Sequence, residues 1–169
     1  ELQAQQAGVE KIAADDWCRT VDINLNGHFY CVNRAVLMLY KSQNASIMCI
    51  SSLAGRLGYV YWTPHAATKW AIIGLLKCLA IELGPSVIRV NALLPGIVEG
   101  LRIETLISER ARTLGVAFGD MEQEYINKAS LRRMVTVQDV ANQAVFLCLS
   151  AGMNILGQSV SICGNVEKL

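Results

Sequence analysis

Apolar positions along the chain alternate between two periods. Ser46-Ile47-Met48-Cys49-Ile50 is a short apolar run of the length of a buried strand. Trp70 to Leu83 is apolar over more residues than a strand needs and is closed by Gly84-Pro85, so it reads as a helix. Thr63 suits the N-cap and Pro64 the first helical position, which predicts a helix over 64–83. Residues 87–94 read as a second strand stopped by Pro95-Gly96, and 157–164 as a last one. Strand, helix and strand joined by short turns make a parallel crossover unit.

Upstream, Trp17, Val21, Leu25, Phe29, Val32 and Val36 recur at threes and fours, which predicts a helix over 16–40 with Asp15 and Asp16 as its cap. Asn24, Asn26 and Gly27 interrupt it at a cost of about 2 kcal/mol relative to alanine. A kink there and a helix that ends and restarts fit the pattern equally. Residues 97–130 lose the period, gain charge and hold Gly115 and Gly119, which suits a lid or substrate loop with a helix of its own. Thr136-Val137-Gln138-Asp139 resembles a capping box opening a helix that reaches Leu149. Residues 1–13 have no strong period.

Composition narrows the class. With 53% hydrophobic and 17% charged residues, the 169-residue chain suits a single α/β domain, 1–169, and excludes a disordered segment. A net charge of +1 leaves no footprint for nucleic acid or an acidic membrane. The apolar helix carries Lys69, Lys77 and Glu82, so no membrane span is expected. The polar Glu1–Glu10 stretch lacks the order of a secretion signal. Six cysteines without CxxC spacing are expected to be core thiols in a reducing compartment, which points to the cytoplasm. The implied sheet has three parallel strands with helices on its faces, and one edge lacks a neighbour.

Chemistry concentrates where the first strand meets the second predicted helix. His65 and Lys69 lie four residues apart on one helical face, and Ser51-Ser52 follows the strand end that can face them. Each has an ordinary reading: a satisfied loop hydroxyl for Ser52, a snorkelling ammonium for Lys69, a helix kink for Asn24. A hydrolase built on Ser52 and His65 lacks a carboxylate to orient the ring and a GxSxG elbow. No GxGxxG or GxxxxGK[ST] run is present to cradle a phosphate.

Taken in order, these pieces resemble the C-terminal part of a short-chain dehydrogenase/reductase from about Asp16 onward. Asp22-Ile23-Asn24-Leu25-Asn26-Gly27 is similar to the family's asparagine-bearing helix, and Ile50-Ser51-Ser52-Leu53-Ala54-Gly55 to its serine loop. Ala67-Thr68-Lys69 resembles the end of its tyrosine–lysine motif. Arg89-Val90-Asn91-Ala92 and Leu94-Pro95-Gly96-Ile97-Val98 resemble the strand and turn that follow. The resemblance implies a partial Rossmann-like, doubly wound parallel sheet whose N-terminal nucleotide-binding half is missing. It implies hydride transfer between NAD or NADP and a small alcohol or carbonyl substrate. Ser52 would hydrogen-bond the reacting oxygen, Lys69 would hold the cofactor ribose, and Asn24 would support a proton relay. Pro95, Gly96, Ile97 and Val98 would flank the nicotinamide. It also implies a homo-oligomer formed through helices 16–40 and 64–83.

Two departures accompany it. His65 stands in the tyrosine slot; imidazole can do acid/base work near neutral pH but reaches roughly 2 Å less far than a phenol. The glycine-rich half is absent, and Cys163 precedes Gly164 where the family usually has aspartate. Impaired oxidoreductase activity is therefore expected. The alternative is a non-catalytic remnant or subunit-interaction piece.

Overall fold

The computed structural model describes residues 6–166, so the start of the polar N-terminal stretch and the tail after Val166 lie outside the described residues. Three parallel strands form one sheet in the order β1 (Ser46–Ile50), β2 (Arg89–Pro95), β3 (Ser159–Ile162). Ser46 pairs with Arg89 and Ala92 with Ser159, so β2 is central. Val90, Ala92, Leu93 and Leu94 are fully buried, as a strand covered on both faces demands.

Strand β2 is shorter at its start than the apolar pattern implies. The turn at Gly84–Ser86 ends with Val87 at φ +59, a left-handed conformation that cannot continue as extended backbone. Gly157 at φ +68 and Gly164 at φ +61 trim the last strand to β3 in the same way. Buried Asn91 fastens this edge: its amide donates to the Ile155 carbonyl at 2.8 Å and its oxygen accepts from Gln158 N–H at 2.9 Å. Buried Arg89 donates to the carbonyls of Leu147, Cys148 and Gly152 and to Asn44 Oδ1, and so ties the end of one helix to the sheet.

The helical pattern over 16–40 becomes α1 (Ala14–Val21), a π-helical turn at Asp22–Asn26 and α2 (Gly27–Leu39). The interruption is thus a bulge in a continuous helix rather than a break. Asn26 Nδ2 donates to Asp22 Oδ1 at 2.7 Å across that turn, while Asn24 is buried. Asp15 and Asp16 lie in the first turn instead of capping it, because Trp17 N–H already bonds the Ala13 carbonyl.

Helix α3 (Thr63–Leu83) also starts one residue earlier than expected: the Trp62 carbonyl accepts from Ala66 N–H, which makes Trp62 the cap and puts Thr63 inside the helix. Ile72, Leu76, Ala80 and Leu83 pack α3 on β1 and β2 through Ala45, Ile88, Val90 and Leu94.

The weakly patterned stretch after β2 holds two helices rather than one, α4 (Leu101–Leu114) and α5 (Phe118–Asn127). Ile107, Ala111, Met121 and Tyr125 join them in a small core of their own. A parallel bridge between Val98 and Val135 closes the base of this excursion. Helix α6 (Val137–Cys148) begins with the expected capping box, Thr136 and Asp139 each bonding the other's backbone N–H at 2.9 Å.

The cysteine expectation needs correcting. Cys49 and Cys163 are buried, but Cys18, Cys31 and Cys78 are exposed on the outer faces of helices whose apolar residues sit on more than one side. Among the described residues no helix is long and apolar enough to cross a membrane.

Candidate active site

The carboxyl ends of β1 and β2 open onto a cavity of about 400 Å³. In parallel α/β sheets the crevice outside those ends is where ligands bind, because loops diverge there and leave space. Residues 51–54 form one wall, the start of α3 another and the turn at 95–98 a third, with α4 and the end of α5 closing over them.

The two adjacent serines do different work. Ser51 is buried and donates its hydroxyl to the Lys69 carbonyl at 2.8 Å; Lys69 Nζ in turn donates to the Ile50 carbonyl at 3.1 Å. These reciprocal bonds clamp the end of β1 to α3. The clamp leaves no room for a side chain at Gly55, where a Cβ would lie 2.6 Å from Ser51 Oγ and 2.9 Å from the Lys69 carbonyl oxygen. Ser52 is held extended, at φ −164, and its Oγ accepts from Ala54 N–H at 3.1 Å. A hydroxyl that accepts one bond still has its own hydrogen to donate, and Ser52 lines the cavity.

His65 lines the cavity from the first turn of α3 and is only 5% exposed. Its ring meets Trp62 edge to face, with centroids 5.3 Å apart, which fixes its plane. Across from it, Pro95, Gly96, Ile97 and Val98 all line the cavity. Gly96 N–H donates to the Ile162 carbonyl and Val135 N–H to the Ile97 carbonyl, both at 2.8 Å, so this turn is rigidly seated. A Cβ on Gly96 would lie 2.8 Å from the Cys163 Cβ, so only glycine lets the turn rest on the end of β3.

The structure therefore gathers Ser52, His65 and residues 95–98 around one space. Asn24 and Lys69 do not line it. Both are about 2% exposed: Lys69 is engaged beneath β1, and Asn24 sits in the π-helical turn that packs against α3.

Several cavity residues escaped the sequence reading. Tyr59 lines the wall but is not four residues before Lys69, the spacing that motif logic requires. Arg102, Leu106 and Arg110 recur every four residues, a helical face legible once α4 is known. Trp62, Tyr125 and Lys128 had no signal beyond residue type. Among the described residues no three His, Cys, Asp or Glu side chains are grouped to hold a metal ion.

A family model described as enoyl-(acyl carrier protein) reductase matches residues 2–164. D-beta-hydroxybutyrate dehydrogenase of Rhizobium meliloti is 29% identical over 161 residues, covering 92% of this chain and 61% of that protein. The crystal structure of sorbitol-6-phosphate 2-dehydrogenase from Erwinia amylovora superposes with a TM-score of 0.90 at 27% identity, over 96% of this chain and 64% of that one. A 3-oxoacyl-[acyl-carrier protein] reductase with bound NAD from Brucella melitensis superposes with a TM-score of 0.78 at 30% identity, over 97% and 56%. The chain thus spans about three fifths of the length of these relatives.

Proposed function

The chain belongs to the short-chain dehydrogenase/reductase family, and on that premise we propose that it is an oxidoreductase for a small alcohol or carbonyl substrate with NAD or NADP. The observation that carries this reading is the single cavity shared by Ser52, His65 and the 95–98 turn. Its volume of about 400 Å³ falls within the usual range for small-molecule sites, about 300–1,000 Å³.

The residues present suit the nicotinamide end of such a cofactor. Ile97, Val98, Leu53 and Ala54 offer an apolar wall for a flat ring, and the pinned turn beside them needs no reorganisation to receive one. NAD(P) supplies the hydride acceptor or donor when bound.

Within the cavity Ser52 donates its hydroxyl hydrogen to the substrate oxygen and fixes its position. His65 takes the proton when an alcohol is oxidised and returns it when a carbonyl is reduced. Trp62 holds the imidazole plane and helps keep water from it. Lys69 and Asn24 act here as positioning residues: Lys69 anchors the strand end that presents Ser52, and Asn24 belongs to the helix turn that backs α3. The short reach of imidazole lowers the expected rate.

Amide-shift titration in 1H–15N spectra with NAD+, NADP+ and nicotinamide mononucleotide tests this. Shifts centred on residues 51–54, His65 and 95–98 are expected, and their absence at tens of millimolar overturns the reading.

A second reading rests on a separate observation. Phe29, Tyr30, Leu37 and Met38 on α2, and Trp70 and Ile81 on α3, are all at least half exposed. Such faces suit pairing with a second copy of the chain, as a homo-oligomer or a non-catalytic subunit piece. Sedimentation giving a folded monomer at all concentrations removes it.

A further inference from the structure

The charged side chains in the described lining of the cavity are all basic. Arg102 and Arg110 on α4 and Lys128 just past α5 line it, and among the described residues no aspartate or glutamate does. The sequence does not compel this, since α4 also carries Glu104 and Glu109. Those carboxylates line a different, open groove together with Glu122. On α4, Arg102 and Arg110 thus line the cavity with Leu106 between them, while Glu104 and Glu109 line the open groove.

We propose that the cavity takes a substrate bearing an anionic group, a carboxylate or a phosphate, which Arg102 and Arg110 hold at its mouth. The inference rests on the reading of this cavity as an alcohol or carbonyl site.

The remaining lining residues fit a two-ended ligand. Buried His65 and half-buried Ser52 form the reacting end, exposed Arg102 and Arg110 the outer end, and Ile97, Ile103 and Leu106 lie among the lining residues as apolar surface. A neutral alcohol would gain nothing from the cations, whereas an anion would gain both orientation and a raised local concentration. Lys128 also has contacts within the chain. Lys128 Nζ lies 3.5 Å from Glu124 and 4.3 Å from the Tyr125 ring centre, so much of its charge is met within the chain. The Arg110 guanidinium lies 6.0 Å from the centre of the same ring, a contact that steadies the group without neutralising it. Its planar fork can then take carboxylate or phosphate oxygens in pairs.

The test is a titration of the full chain followed by amide shifts, with three probes: 3-hydroxybutyrate, glycerol 3-phosphate and butane-1,3-diol. Carboxylate or phosphate is expected to bind at least about tenfold more tightly than the neutral diol at low salt, with shifts on α4 and residues 51–54. The stronger of the two anions identifies the group. Arg102→Gln and Arg110→Gln should each cost about three- to tenfold in anion affinity while leaving the diol unchanged, and the Arg→Lys variants should retain part of it. Equal affinity for anions and diol within the cavity overturns the anionic substrate and leaves the alcohol site standing. Anion binding away from α4, or an anion-to-diol ratio unmoved by both glutamine variants, also overturns it. No binding of any probe at the cavity overturns it together with the reading beneath it.

Discussion

Replacing Gly55 by alanine should loosen the junction that presents Ser52. The new Cβ would stand 2.6 Å from Ser51 Oγ, 2.9 Å from the Lys69 carbonyl oxygen and 3.0 Å from Ile73 Cδ1. The first neighbour is a short side chain held by its own hydrogen bond and the second is helix backbone, so neither yields cheaply. Overpacking of this kind costs about 1–3 kcal/mol. If Ser51 swings away to make room, the buried bond to Lys69 goes with it, at about 1 kcal/mol more. Gly55→Ala is therefore expected to lose about 2–4 kcal/mol in urea unfolding at 25 °C. Ser51→Ala alone should lose about 1–2 kcal/mol, by removing the hydroxyl without crowding. The double variant separates the two terms. With Oγ gone the worst contact disappears while the conflict with the Lys69 carbonyl stays, so the double loss should fall short of the sum by about 1 kcal/mol. Strict additivity, or a Gly55→Ala loss under about 0.5 kcal/mol, would refute the clamp as the origin of this geometry.

Three further outcomes can be checked. His65→Tyr restores a phenol's reach and is expected to raise NAD(P)-dependent turnover on the order of 10²-fold; unchanged or lower turnover in an initial-rate assay makes the imidazole itself the working acid/base. Burial pushes the Cys49 thiol up to about 11, so its contribution is intact below pH 9 and declines as pH rises through that value. Wild type should therefore lose stability between pH 9 and 11 more steeply than Cys49→Val in chemical unfolding, and parallel curves would sink the idea. Thr136 N–H and hydroxyl hold the Asp139 carboxyl below its ordinary value, so its support of α6 is present above about pH 4 and fades as acid protonates it. Thr136→Ala should cost about 1 kcal/mol and flatten that acid limb, read by circular dichroism.

The strands, the long α3 and the α6 cap were legible because each is specified by neighbours in sequence: an apolar run, a 3.6 period, a Thr and an Asp three residues apart. Boundaries were less so, since they depend on which carbonyl is taken first. Thr63 looks like a cap by residue type, yet Trp62 supplies the carbonyl that Ala66 uses. The pattern across Asp22–Asn26 could not separate a kink from a break, because a π-helical turn keeps both flanks helical while admitting the same poor formers. Motif spacing found Ser52, His65 and the 95–98 turn, which meet at one cavity, and it also named Lys69 and Asn24, which do not line it. Whether a side chain turns into a crevice or under a strand is fixed by bonds made across the fold, here the Lys69 ammonium on the Ile50 carbonyl.

The placement of Arg102 and Arg110 on the cavity side was least legible for the same reason. Leu101 to Leu114 reads as a mixed polar helix until Ile107 and Ala111 are buried against Met121 and Tyr125. That packing sets the rotation of the helix. Once Ile107 and Ala111 face inward, the four-residue spacing of Arg102, Leu106 and Arg110 brings them to the cavity side, while Glu104 and Glu109 line the other groove. The chemistry offered to a ligand's outer end is thus set in part by Ile107, Ala111 and Met121, which do not line the cavity. Changes at Ile107 or Met121 should therefore alter anion preference by turning α4, without disturbing the Ser51–Lys69 clamp at the far wall.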